Sequence, residues 1–304
     1  MSQLLNEQNI ISGQGKALFN LEGEAFIKAI EKVQVILPSS APSARIKEKM
    51  NVVENDLDGH PWYKACSKKN KSDQKMLYIH GGAFCLEACD VEWEGCARIA
   101  DETGVEIWAP QYPLIPKGDW QTALYMGEKL YQMMLEETTA DHIVFMGDSA
   151  GGSVILSLAM YIKELGLPQP KEIILISPGA SFGQLQTEED KKYLELLEKK
   201  DPILGSKCMP TISEKWRNGL PENDYRATPI YGDLEGLGHI TLFTGTADIL
   251  NLDARQLKRN AEENHIDINY IEKEDAIHGW FLMKPDDGTE EYTMIKNLIN
   301  GTSK

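Results

Sequence analysis

At 304 residues, 42% hydrophobic and 26% charged, the chain has the composition of a water-soluble globule with a large core; no stretch is apolar for long enough to span a bilayer. A formal net charge of −16, spread along the chain rather than gathered in a tail, argues against nucleic acid or an anionic membrane as partner. The five cysteines, at 66, 85, 89, 96 and 208, are odd in number and form neither a C-x-x-C pair nor a histidine-rich cluster, so reduced thiols are expected rather than disulfides or a metal site.

In chain order, residues 1–19 lack the basic start, unbroken apolar middle and cleavage site of a secretory leader, which points to the cytoplasm. Residues 1–45 carry a helical stretch, LEGEAFIKAIEKVQVIL, closed by the breaker-rich PSSAPS. From Lys49 onward, β-branched and aromatic runs predict strands at 50–55, 60–66, 75–80, 105–110, 143–147, 172–177, 240–245 and 268–273. Helix-like segments near 89–102, 120–137, 150–165, 251–264 and 288–299 alternate with the later strands. That rhythm predicts an α/β fold with a mostly parallel sheet covered on both faces. Only the turn DLDG (56–59) separates the first two strands, so they are expected to form an antiparallel edge hairpin. Residues 181–225 break the rhythm with a helix, EEDKKYLELLEKK, and a second helical patch around ISEKW. An insertion of this length is expected to be a cap, docked through Tyr193, Leu194, Leu196 and Leu197. The organisation that follows is an N-terminal helical segment at 1–45, an α/β domain at 46–180 and 226–304, and the insertion at 181–225.

The strongest chemical signal is IVFMGDSAGG, in which an apolar strand runs into Gly147-Asp148-Ser149-Ala150-Gly151 and then into a helix. This is G-x-S-x-G in the strand–turn–helix setting of a nucleophile elbow. The turn is so tight that bulky side chains two positions either side of Ser149 would strike neighbouring backbone. At a helix N-terminus, free amide donors and the helix dipole favour developing negative charge. A second signal, YIHGGAF at 78–84, ends a strand in a glycine turn of the kind that donates backbone N–H groups to an oxyanion. Its expected contributors are Gly81, which shapes the turn, and the N–H donors of Gly82, Ala83 and Ala150.

A serine nucleophile needs a base, and the base an orienting acid. Of the six histidines, His142, His239 and His265 lie at the wrong ends of strands, His60 is in the hairpin and His80 belongs to the glycine turn. His278, in KEDAIHGWF, follows a strand at the end where Ser149 stands. In the order serine, acid, histidine, Asp248 in ITLFTGTADIL is the expected acid. Asp253 is a distant second, expected to be a surface or helix-capping residue.

With these residues in hand, the chain resembles the hormone-sensitive-lipase-like branch of the α/β-hydrolases, from Leu77 to Met283. The resemblance rests on HGGAF, YPLIPKGDW (112–120), GDSAGG, TPIYGDLEGL (228–237), GTADIL and IHGWF. It implies an eight-stranded sheet, a cap built from the N-terminal segment and the insertion after the sixth strand, and hydrolysis of short-chain acyl esters without metal or organic cofactor. It also implies a homodimer paired through the sheet edge. Two positions depart from the family pattern: Ala83 stands where glycine is usual, and Lys117 replaces an acidic residue. An amidase, arylformamidase or small peptidase could use the same residues, and a non-catalytic ligand receptor could use the same fold.

Overall fold

The computed structural model describes residues 15–36, 41–182, 187–283 and 288–302. The leader reading at 1–14, the breaker residues 37–40 and the start of the insertion at 183–186 lie outside the described residues.

Among the described residues, three helices precede the sheet: α1 (Gly15–Phe19), α2 (Gly23–Ile36) and α3 (Ala44–Lys49). The last was not anticipated, because Ser43 reads as part of a breaker. Its hydroxyl instead accepts the Ile46 N–H at 3.4 Å and starts the helix.

The predicted strands all form, as β1 (Met50–Leu57), β2 (His60–Ser67), β3 (Lys75–Ile79), β4 (Glu106–Pro110), β5 (Ile143–Asp148), β6 (Glu172–Ile176), β7 (His239–Gly245) and β8 (Ile268–Lys273). Their order in one sheet is β1-β2-β4-β3-β5-β6-β7-β8. β2 runs antiparallel to both β1 and β4, and every other pair is parallel. The β1–β2 turn puts Asp58 and Gly59 at φ 52° and 85°. Two central residues at positive φ match the right-handed twist of the hairpin strands.

β5 and β6 are buried at every residue, as expected of strands covered on both faces. Met76, Tyr78, Val144 and Met146 face one layer, built with α4 (Asp90–Thr103) and α11 (Thr289–Asn300). Leu77, Ile79 and Phe145 face the other, with α5 (Trp120–Glu137), α6 (Ala150–Glu164) and α9 (Asn251–Glu263). Each large apolar side chain so buried contributes about 1.5–3 kcal/mol. These layers hold the strand ends rigid, and the functional side chains stand on those ends.

Between β6 and β7 lie α7 (Glu188–Lys200) and α8 (Met209–Arg217). Thr187 and Asp190 cap α7 reciprocally, and Asp190 also accepts from Gln256 and Arg259 of α9. Docking uses Tyr193, Leu194 and Leu197, one helical face. Leu196, expected to join them, is 55% exposed because it falls outside the edge of that face. A four-residue helix, α10 (Trp280–Met283), was likewise not anticipated, nor was α1, which precedes the helical stretch read at 21–37.

Candidate active site

Ser149 sits between β5 and α6 with φ 51° and ψ −123°. A Cβ on Gly147 would lie 2.5 Å from the Gly151 carbonyl oxygen, and one on Gly151 would lie 2.0 Å from that of Ile79. Only glycine fits at either position. A non-glycine residue held in such a backbone costs about 1–3 kcal/mol. The bends are held by Ser149 N–H donating to Ile176 O at 2.8 Å and Gly179 N–H donating to Ser149 O at 3.2 Å.

Asp248 follows β7 and is fully buried; His278 follows β8. The imidazole Nδ1 lies 3.0 and 3.1 Å from the two Asp248 carboxylate oxygens. A carboxylate only accepts, so Nδ1 carries the hydrogen and Nε2 is left for another partner. Oδ1 of Asp248 is itself fixed by the Leu250 N–H at 2.9 Å. Burial pushes the imidazole pKa down, but the Asp248 charge and hydrogen bond, with Asp201 and Asp148 nearby, raise it to about 9. Ser149 and His278 line one cavity of about 840 Å³ together with Gly82, Ala83 and Ala150. No direct hydrogen bond joins the hydroxyl to the imidazole; such contacts commonly tighten only when substrate is bound.

Asp253 does not lie on the surface. It is fully buried in α9, where its carboxylate accepts the N–H groups of Ser181 and Phe182 at 2.7 and 2.9 Å and the Ser181 hydroxyl at 2.8 Å. It pins the turn where the insertion begins. His80 is no base either: burial lowers its pKa to about 4, and its Nδ1–H donates to Gly81 O at 3.0 Å.

In the glycine turn, Gly82 has φ 87° and Ala83 and Phe84 have φ 54° and 56°. The N–H groups of Gly82, Ala83 and Ala150 meet no acceptor among the described residues. Gly81 differs, because its N–H donates to Glu92 Oε1 at 3.0 Å. A Cβ there would come within 2.4 Å of Asp148 Oδ2, so Gly81 contributes the turn and no free donor. Because Ala83 pays for a conformation that glycine adopts freely, Ala83→Gly is expected to raise stability by about 1 kcal/mol. Thermal unfolding of the two proteins checks this; a lower melting temperature would remove the strain argument. The other departing side chain, Lys117, is exposed and away from the cavity lining.

Several supports of this turn escaped sequence reasoning. Glu92 Oε2 also accepts the Cys89 N–H at 2.6 Å, and Tyr112 donates its hydroxyl towards the carbonyls of His80 and Gly81 at 3.0 and 3.1 Å. From α2, the Gln34 amide nitrogen donates to both Cys85 O and Ile115 O at 2.8 Å. Beneath Ser149, Tyr78 donates to Asp148 at 2.6 Å. Burial pushes the Asp148 carboxyl upward; burial and then the Asp148 charge push Glu92 upward. Glu92, three residues after Cys89 at the start of a helix, carried a capping signal that could have been read. No cluster of three or more metal-ligating side chains occurs among the described residues, and no described helix is long and apolar enough to cross a membrane.

Residues 76–282 match a family model described as the alpha/beta hydrolase fold. A triacylglycerol lipase of Mycobacterium tuberculosis is 28% identical over 211 residues, which is 69% of this chain and 43% of that lipase. An acetyl-hydrolase of Streptomyces hygroscopicus is 24% identical over 212 residues, 69% of each chain. The crystal structure of an esterase from the bacterial hormone-sensitive lipase family superimposes with a TM-score of 0.79 at 19% identity, covering 97% of both chains.

Proposed function

The chain belongs to the alpha/beta hydrolase fold family, and on that premise we propose that it is a serine carboxylesterase acting on short-chain acyl esters through Ser149, His278 and Asp248. The observation that carries this reading is the buried His278–Asp248 pair opening onto the same cavity as a serine held at positive φ on a helix N-terminus. The lipase and acetyl-hydrolase relatives support it.

The chemistry follows from the groups present. Ser149 Oγ attacks the ester carbonyl while Nε2 of His278 takes its proton, and Asp248 holds the tautomer and stabilises the imidazolium. The tetrahedral oxygen is met by the free N–H groups of Gly82, Ala83 and Ala150, each such donor being worth about 10²–10³ in rate. The imidazolium then protonates the leaving alcohol, and water releases the acyl group by the same path. Leu86, Phe182, Leu204, Met209, Ile212 and Leu282 make the cavity wall apolar, suited to an uncharged ester. The 187–225 part of the insertion and α1 supply part of that wall through Leu204, Met209 and Phe19, as a cap would.

A base must be neutral to accept a proton. With His278 raised to about 9, kcat/KM on p-nitrophenyl butyrate is expected to climb about tenfold per pH unit below that value and then level. A fluorophosphonate is expected to label Ser149 with the same pH dependence. Absence of both turnover and label would overturn the assignment.

A further inference from the structure

We propose that Asp201, the residue that closes α7, is a positioning residue for the reaction: its single carboxylate fastens the cavity-facing turn of the insertion to the loop that presents Asp248 to His278. The catalytic consequence rests on the ester-hydrolase reading; the clasp itself rests on geometry. Asp201 is 1% exposed. Its Oδ1 accepts the N–H groups of Ile203 and Leu204 at 2.7 and 2.9 Å, and its Oδ2 accepts that of Ile249, next to Asp248, at 2.8 Å. Ile203 and Leu204 line the cavity from the insertion, and Leu250 lines it from the acid loop. Around the clasp, Leu197 and Met209 of the insertion pack against Ile249, Leu250 and Leu252.

The helix dipole alone disfavours an aspartate here, because the carboxyl end of a helix repels negative charge, although the turn to Ile203 and Leu204 suits one. The backbone N–H of Asp201 already closes α7 by bonding Leu197 O at 2.8 Å, and that needs no side chain. What the carboxylate adds is the local turn to Ile203 and Leu204 and, from its other oxygen, the link across 48 residues to Ile249. Lys16 of α1 donates to the carbonyls of Glu198 and Asp201 and brings a positive charge to the same helix end. The charged groups facing the imidazole are thus Asp248, Asp201 and Asp148, all of which favour its protonated form. Asp201 itself faces Asp248 and His278.

The test compares wild type with Asp201→Asn and Asp201→Ala. In Asp201→Ala, kcat/KM is expected to fall by about 10²-fold, mostly in kcat, because the acid loop is released. In Asp201→Asn, the acidic limb of the kcat/KM profile and the His278 titration followed by NMR are both expected to move to lower pH. A residue that merely stabilised the insertion would lower the melting temperature and leave that titration in place. In wild type, amide exchange at Ile249 is expected to match that at Ile203 and Leu204 within about tenfold, since one opening exposes all three. Unchanged kcat/KM and imidazole titration in Asp201→Asn, or Ile249 exchanging far faster than the insertion amides, would overturn the proposal. If wild type hydrolysed no ester, only the functional reading would fall; titration and exchange would still decide the clasp.

Discussion

Ser149→Ala is expected to lower ester turnover by about 10⁶-fold while the protein remains folded. The substitution keeps Cβ, so it inherits a backbone at φ 51° that the surrounding contacts already sustain. The three backbone hydrogen bonds at Ser149, one made by its N–H and two accepted by its carbonyl, are untouched. The hydroxyl caps nothing in α6, so its loss leaves no orphaned helix donor. Initial rates on p-nitrophenyl butyrate beside a thermal melt check both halves. A folded variant that kept wild-type turnover would end the nucleophile assignment.

Asp248→Asn is expected to cost about 10⁴-fold in kcat at neutral pH, with KM little changed. The side chain is fully buried and accepts from both His278 Nδ1 and the Leu250 N–H. An amide has one oxygen where the carboxylate has two. If that oxygen stays with Leu250, the NH₂ faces Nδ1, and the imidazole must place its hydrogen on Nε2. Nε2 then donates where it should accept, and Ser149 loses its base. Steady-state kinetics against wild type decide this; a loss of less than tenfold would move the acid's role elsewhere.

Ser149, Asp248 and His278 were legible because each sits in a short segment whose chemistry is local: a strand end, a turn and the next residue. The strands were legible for a similar reason, since β5 and β6 are apolar apart from Asp148 at the end of one and Glu172 at the start of the other. What stayed hidden depends on contacts distant in sequence. Asp253 reads as a surface carboxylate of an amphipathic helix, yet the amides of Ser181 and Phe182 arrive from 72 and 71 residues away to receive it. Asp201 reads as a helix end for the same reason. α10 was missed because four consecutive apolar residues, Trp280 to Met283, have no periodicity to betray a helix.

One side-chain amide of α2 grips two carbonyls, that of Cys85 beside the glycine turn and that of Ile115 in the loop after β4. The first residues of the described chain and the chemistry of the site therefore share a fate. Heat or a protease that peels this helix from the body leaves two loops without their common anchor, so inactivation is expected to precede the melting of the sheet. Any engineering of α2 is, in effect, engineering of the support beneath the candidate site.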